Sequence, residues 1–158
     1  MNSDLTYNTA TNDADSTLRL GERLGAALTM PMTLELISDL GGGKTTFVQG
    51  LARGLGYKGE VTSPTFTLSR IYQLPNGREL HHFDLYRLSG GDVVVNELAD
   101  VIGQPGVIVA IEWPQSAKRA LPDDYLSLTF TVTGEDERAI TMSAHGSDST
   151  KALKEIMS

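Results

Sequence analysis

The chain has 158 residues, 40% of them hydrophobic and 21% charged; it contains no cysteine and carries a formal net charge of −7 at pH 7. That length and composition fit one globular domain with a sizeable core, and the missing thiols exclude disulfides, cysteine nucleophiles and thiolate-held metals. The acidic balance argues against direct, nonspecific binding to nucleic acid, which draws on clustered lysine and arginine.

No apolar run reaches transmembrane length, and Asp4, Asp13 and Asp15 precede the first basic residue, Arg19, unlike a signal or transit peptide. A cytoplasmic protein without membrane contact is expected, with Arg53, Lys58, Arg70, Lys118 and Arg119 on a solvated surface. Residues 5–9 predict a short strand, and Thr11 or Asn12 is placed to cap a helix whose Leu18, Leu20, Leu24 and Leu28 share a face. Residues 34–37 predict a buried strand, followed by a glycine-rich turn. Phe47, Leu51 and Leu55 then fall at helical spacing, with Gly54 and Gly56 to end that helix.

Residues 62–66 predict a turn ahead of a strand over 67–74, which returns through Pro75-Asn76-Gly77-Arg78 as a hairpin with 79–84. Gly90-Gly91 breaks the chain again. Over 92–102, Val93-Val94-Val95 favours a strand, whereas Leu98, Val101 and Ile102 fit a helical face; helix is the preferred reading. Residues 107–111 are continuously apolar, as in a parallel strand buried on both faces, and the run ends in Glu112. Residues 126–132 and 139–144 predict a last hairpin around Gly134-Glu135-Asp136, and 147–158 read as a polar or weakly helical tail. The whole chain, 1–158, is expected to form a single domain.

The chemistry concentrates in Leu34-Glu-Leu-Ile-Ser-Asp-Leu-Gly-Gly-Gly-Lys-Thr-Thr46. A glycine-rich turn between strand and helix lets consecutive backbone N–H groups surround an anion at the positive end of the helix. Lys44 then meets the terminal phosphates of a nucleotide, and Thr45 offers its hydroxyl to Mg²⁺. The pattern G-x-x-x-x-G-K-[ST] wants glycine where this chain has Ser38, so the match is partial, but the required order of strand, loop and helix is present.

A divalent cation on nucleotide phosphates needs oxygen ligands from neighbouring strand ends. Glu112 and Asp84 each close a strand-like segment and are the candidates; the alternative is an acid at a solvated strand end. Thr62, Ser63 and Thr65 form a hydroxyl-rich loop of the kind that becomes ordered around a terminal phosphate, or else serve the turn at Pro64. Trp113 either shields the site or packs in the interior. His81 and His82 are adjacent, so a strand sends them to opposite faces, where packing or surface exposure is expected. No His-Glu-x-x-His or Gly-x-Ser-x-Gly pattern offers zinc or serine-hydrolase chemistry.

Asp39-Leu-Gly-Gly-Gly-Lys-Thr-Thr-Phe47, Thr62-Ser-Pro-Thr-Phe-Thr-Leu68, His82-Phe-Asp-Leu-Tyr-Arg-Leu88 and Ile111-Glu-Trp-Pro114 together make the chain resemble the bacterial TsaE (YjeE) family, over roughly residues 5–145. The resemblance implies a P-loop NTPase-like three-layer α/β domain with a mixed central β-sheet flanked by helices. It also implies a weak, Mg²⁺-dependent ATPase needed to form threonylcarbamoyladenosine in tRNAs that read codons starting with adenine. In that family the protein binds the TsaD and TsaB synthase pair, touches tRNA only indirectly, and hydrolyses ATP to reset the complex. Carried over, Leu40, Gly41, Gly42, Gly43, Lys44 and Thr45 wrap the phosphates, with Thr46 beside them. Thr45 and Glu112 hold Mg²⁺, and Asp84 lies beside the metal or positions water. Thr65 belongs to a switch-like loop and Trp113 to the nucleotide's surroundings.

The family usually has glycine at the position of Ser38 and alanine at that of Gly42, and a Glu- and Leu-rich helix where this chain has the divergent residues 92–104. Ser38 distorts the turn if its position demands a positive φ. Two other functions use the same loop: a P-loop kinase of a small metabolite, although no arginine-rich lid stands out, and a nucleotide-dependent binding module without turnover.

Overall fold

The computed structural model describes residues 4–38, 43–62, 69–85 and 92–158. Among them, seven strands form a single mixed sheet in the order β1-β7-β6-β2-β5-β4-β3. The strands are β1 (Leu5–Thr11), β2 (Met32–Ser38), β3 (Ser69–Gln73), β4 (Glu79–Asp84), β5 (Val107–Glu112), β6 (Leu126–Val132) and β7 (Arg138–Ala144). The helices are α1 (Ala14–Ala27), α2 (Lys44–Gly54), α3 (Asp92–Val101) and α4 (Ser147–Met157). Strands β6, β2, β5 and β4 run parallel, while β3, β7 and β1 add antiparallel margins. Every residue of β5 is buried, as a strand covered on both faces requires.

Two apolar clusters fill the spaces on either side of the sheet. One joins Leu34, Leu36, Leu126, Leu128 and Phe130 to the buried faces of α1, α2 and α4. The other joins Phe83, Val109 and Ile111 to Val94 and Leu98 of α3 and Ala117 of the 3₁₀ segment Pro114–Ala120. Residues 92–102 are therefore helical as preferred: burying Val94 and Leu98 on one side of the sheet outweighs the strand preference of three consecutive valines.

Helices α1 and α2 meet backbone to backbone through glycine. A Cβ on Gly21 would come within 2.3 Å of the Phe47 carbonyl oxygen, and one on Gly25 within 2.4 Å of that of Leu51. From the other helix, a Cβ on Gly50 would come within 2.0 Å of the Leu18 oxygen and one on Gly54 within 2.2 Å of that of Glu22. Only hydrogen at all four positions permits this approach, which fixes the height at which the first turn of α2 sits over the sheet.

Three local expectations are corrected. The cap of α1 is Asp13 rather than Thr11 or Asn12: its carboxylate accepts the Ser16 N–H at 2.7 Å, and the Ser16 hydroxyl accepts the Asp13 N–H at 3.2 Å. The first strand runs two residues further than expected, to Thr11, because β7 pairs with it throughout. Residues 147–157, expected to be a polar or weakly helical tail, form a full helix with a buried face, since Ala152, Leu153 and Ile156 make an apolar stripe that enters the main core. The 75–78 turn appears as expected, with Asn76 at φ 65° and Gly77 at φ 75°.

Candidate functional site

Those predicted site residues that are described lie at the carboxyl ends of the parallel strands, where open α/β sheets place ligands. Ser38, Asp84 and Glu112 are the last residues of β2, β4 and β5. Asp84 and Glu112 are register partners on adjacent parallel strands, so both carboxylates leave the same face side by side. Gly43 opens α2 at φ 95°, a left-handed conformation that a side chain would strain, and Lys44, Thr45 and Thr46 form the first helical turn. Leu40, Gly41, Gly42, Ser63 and Thr65 lie outside the described residues.

Lys44 is only 6% exposed. Its Nζ donates to the Ser38 carbonyl oxygen at 3.4 Å and lies 3.6 Å from the centroid of the Trp113 ring, a cation–π contact in a largely desolvated place. Trp113 reaches that position through a strained backbone, with φ 59° and ψ 61°, immediately after Glu112. The 3₁₀ segment that follows is tied back to β2, with Lys118 Nζ 3.8 Å from Oε2 of the buried Glu35 and the Ser127 hydroxyl donating to Glu35 Oε1 at 2.8 Å. Trp113 thus packs against the second apolar cluster, one of the two roles expected of it, while its ring also meets Lys44.

The site's Glu112 is 3% exposed and would be costly as an unpaired carboxylate. Its Oε2 lies 2.5 Å from Nε2 of His82, which is fully buried. Sequence reasoning placed His81 and His82 correctly on opposite faces, but assigned His82 only packing or exposure. The contact with Glu112 depends on the pairing of β4 with β5, a long-range register that residue spacing within β4 does not encode.

Ser38 is an extended strand residue. Among the described non-glycine residues, positive φ occurs only at Asn76 and Trp113, so the serine occupies a backbone conformation open to any side chain.

A cleft beside the first turn of α2 was not anticipated. Asp13 and Thr17 of α1, Gly43 and Thr46, and Asp136 and Arg138 of the β6–β7 hairpin line it. The Ser16 backbone N–H and hydroxyl hold the Asp13 carboxyl below its ordinary range, so it stays ionised beside this cleft. The signal available in sequence was Asp13 three residues ahead of Ser16, a reciprocal cap that fixes where α1 begins.

A mixed sheet between helical layers, a buried lysine opening the helix after β2 and paired acids at neighbouring strand ends define a P-loop NTPase-like α/β domain. The family model for threonylcarbamoyl adenosine biosynthesis protein TsaE matches residues 11–140, and the chain belongs to the TsaE family. The tRNA threonylcarbamoyladenosine biosynthesis protein TsaE of Streptomyces coelicolor is 36% identical over 132 residues, covering 80% of this chain and 89% of that one. Its counterpart in a Nostoc species is 42% identical over 133 residues, covering 80% and 78%. The crystal structure of Bacillus subtilis YdiB superposes with a TM-score of 0.77 at 31% identity, covering 99% of this chain and 97% of that one. Family membership assigns the chain a role in threonylcarbamoyladenosine biosynthesis. Among the described residues, no helix is long and apolar enough to cross a membrane.

Proposed function

We propose that the chain is a single-domain, Mg²⁺-dependent ATPase that acts as an accessory protein to the TsaD–TsaB synthase pair in tRNA threonylcarbamoyladenosine formation, meeting tRNA only through that pair. The observation that carries this reading is the buried Lys44 ammonium at the start of α2, on the same sheet edge as the register-paired Asp84 and Glu112.

The donor set fits Mg²⁺. Glu112 has one oxygen held by His82, and its other oxygen, Asp84 and the Thr45 hydroxyl would supply oxygen ligands. Bound Mg²⁺ supplies charge neutralisation on the β- and γ-phosphates. The chain's own residues do the rest. Leu40, Gly41, Gly42 and Gly43 offer backbone N–H groups to the phosphates, and the helix N-terminus adds its partial positive charge. Lys44 leaves the Ser38 carbonyl for the terminal phosphate oxygens, to which its N–H groups donate. Asp84 accepts a hydrogen bond from the attacking water and orients it. Thr65 is assigned to a switch-like loop by the family resemblance, Trp113 keeps bulk water from the Lys44 side, and the nucleoside occupies the cleft between Thr17, Thr46 and Arg138.

The test is phosphate release from ATP by the purified chain, alone and with the synthase pair. Slow, Mg²⁺-dependent release that the pair accelerates is expected. Release that is undetectable in both conditions, with complex formation intact, would leave a binding module instead of an ATPase.

A further inference from the structure

His82 lies beneath the site without belonging to the phosphate or metal ligands. It faces Ala110 across the β4–β5 pairing, and the small side chain there leaves the imidazole room to reach along the sheet to Glu112, two residues further on. The ring is fully buried, its Nε2 is 2.5 Å from Glu112 Oε2, and its Nδ1 is buried with no partner among the described residues. A carboxylate oxygen can only accept, so the hydrogen in this contact sits on Nε2. The short distance marks a strong hydrogen bond.

We propose that His82 is a positioning residue for Glu112. Its Nε2–H pins Oε2, so the carboxylate keeps one rotamer and presents a single oxygen, Oε1, to the divalent cation that accompanies the nucleotide. The proposal rests on the reading of Glu112 as a metal-side carboxylate. Partners of this kind fix ligand orientation, and losing them costs roughly 10- to 100-fold in metal affinity.

The experiment measures Mn²⁺ affinity of the full chain saturated with ADP, by the electron paramagnetic resonance of free Mn²⁺, alongside metal-free ADP binding. His82→Leu is expected to weaken Mn²⁺ binding by about 10- to 100-fold, with metal-free ADP affinity held within about threefold. His82→Gln, which keeps an amide donor at the Nε2 position, recovers most of the loss; His82→Asn, whose donor sits at the Nδ1 position, does not. In a Glu112→Ala background, His82→Leu has no further effect. The proposal is overturned if His82→Leu matches the parent, if Gln and Asn behave alike, or if the His82→Leu loss persists undiminished without Glu112. Should His82→Leu fail to fold, the contrast between Gln and Asn decides alone. Normal Mn²⁺ affinity in Glu112→Ala would instead refute the metal-side reading itself.

Discussion

Replacing Gly50 by alanine sets two physical effects against each other. Helix propensity alone favours the change, since alanine in a helix interior is about 1 kcal/mol better than glycine. The packing of α1 on α2 opposes it: the new Cβ would lie 2.0 Å from the Leu18 carbonyl oxygen, 2.9 Å from its carbon and 3.1 Å from the Glu22 nitrogen. All three are backbone atoms, so no rotamer change relieves the clash and the helices must part by roughly 1 Å. Overpacking of this kind costs ~1–3 kcal/mol, and the rigid surroundings favour the upper end. The expected net loss is therefore about 2 kcal/mol, a fall in Tm of about 4–8 °C for a chain of this size. Thermal unfolding followed by circular dichroism reads it directly, and ATP affinity should fall in parallel because α2 carries Lys44 and Thr45. A rise in Tm would mean that propensity prevails and that the glycine contacts do not set the helix spacing.

Two further outcomes follow from the geometry around the loop. Because Ser38 is extended strand, Ser38→Gly should change nucleotide affinity by less than about threefold in a calorimetric titration; a larger gain would mean that the serine strains the turn. The Asp13 carboxyl is held below its ordinary value by the backbone N–H and hydroxyl of Ser16, so its ionised form stabilises the folded chain. That stabilisation is complete above the unfolded carboxyl's pKa of about 3.9 and disappears as pH falls through the depressed folded value. Asp13→Asn keeps a good helix cap but cannot titrate, so its stability should fall less steeply below about pH 4 in acid-unfolding curves; identical slopes would contradict the assignment.

The placement of Lys44 and Glu112 was legible in sequence because its signals are local. An apolar run that ends in glycine and lysine, and another that ends in Glu112, place both groups at strand ends with no knowledge of pairing. The hairpin at Asn76 was equally local, since consecutive positive φ angles need that residue pair. Features created by contacts between distant segments were hidden. Gly50 and Gly54 looked like ordinary helix residues or a helix end, and only the approach of α1 explains them. His82 gains its partner from a strand 30 residues away. The docking of helix α4, read as at most weakly helical, was hidden for a different reason: its apolar stripe is short and set in polar surroundings, so its burial depends on the core that the rest of the chain provides.

The central claim is that Lys44 and Glu112 form one ATP–Mg²⁺ site, and calorimetric titration of ATP with Mg²⁺ into the full chain, Lys44→Ala and Glu112→Ala tests it most directly. The account predicts saturable binding by the parent and a loss of about 10- to 100-fold in Lys44→Ala, the worth of a charge-assisted contact. For Glu112→Ala it predicts that the gain in affinity from Mg²⁺ disappears. Parent-like titrations for both variants would contradict it.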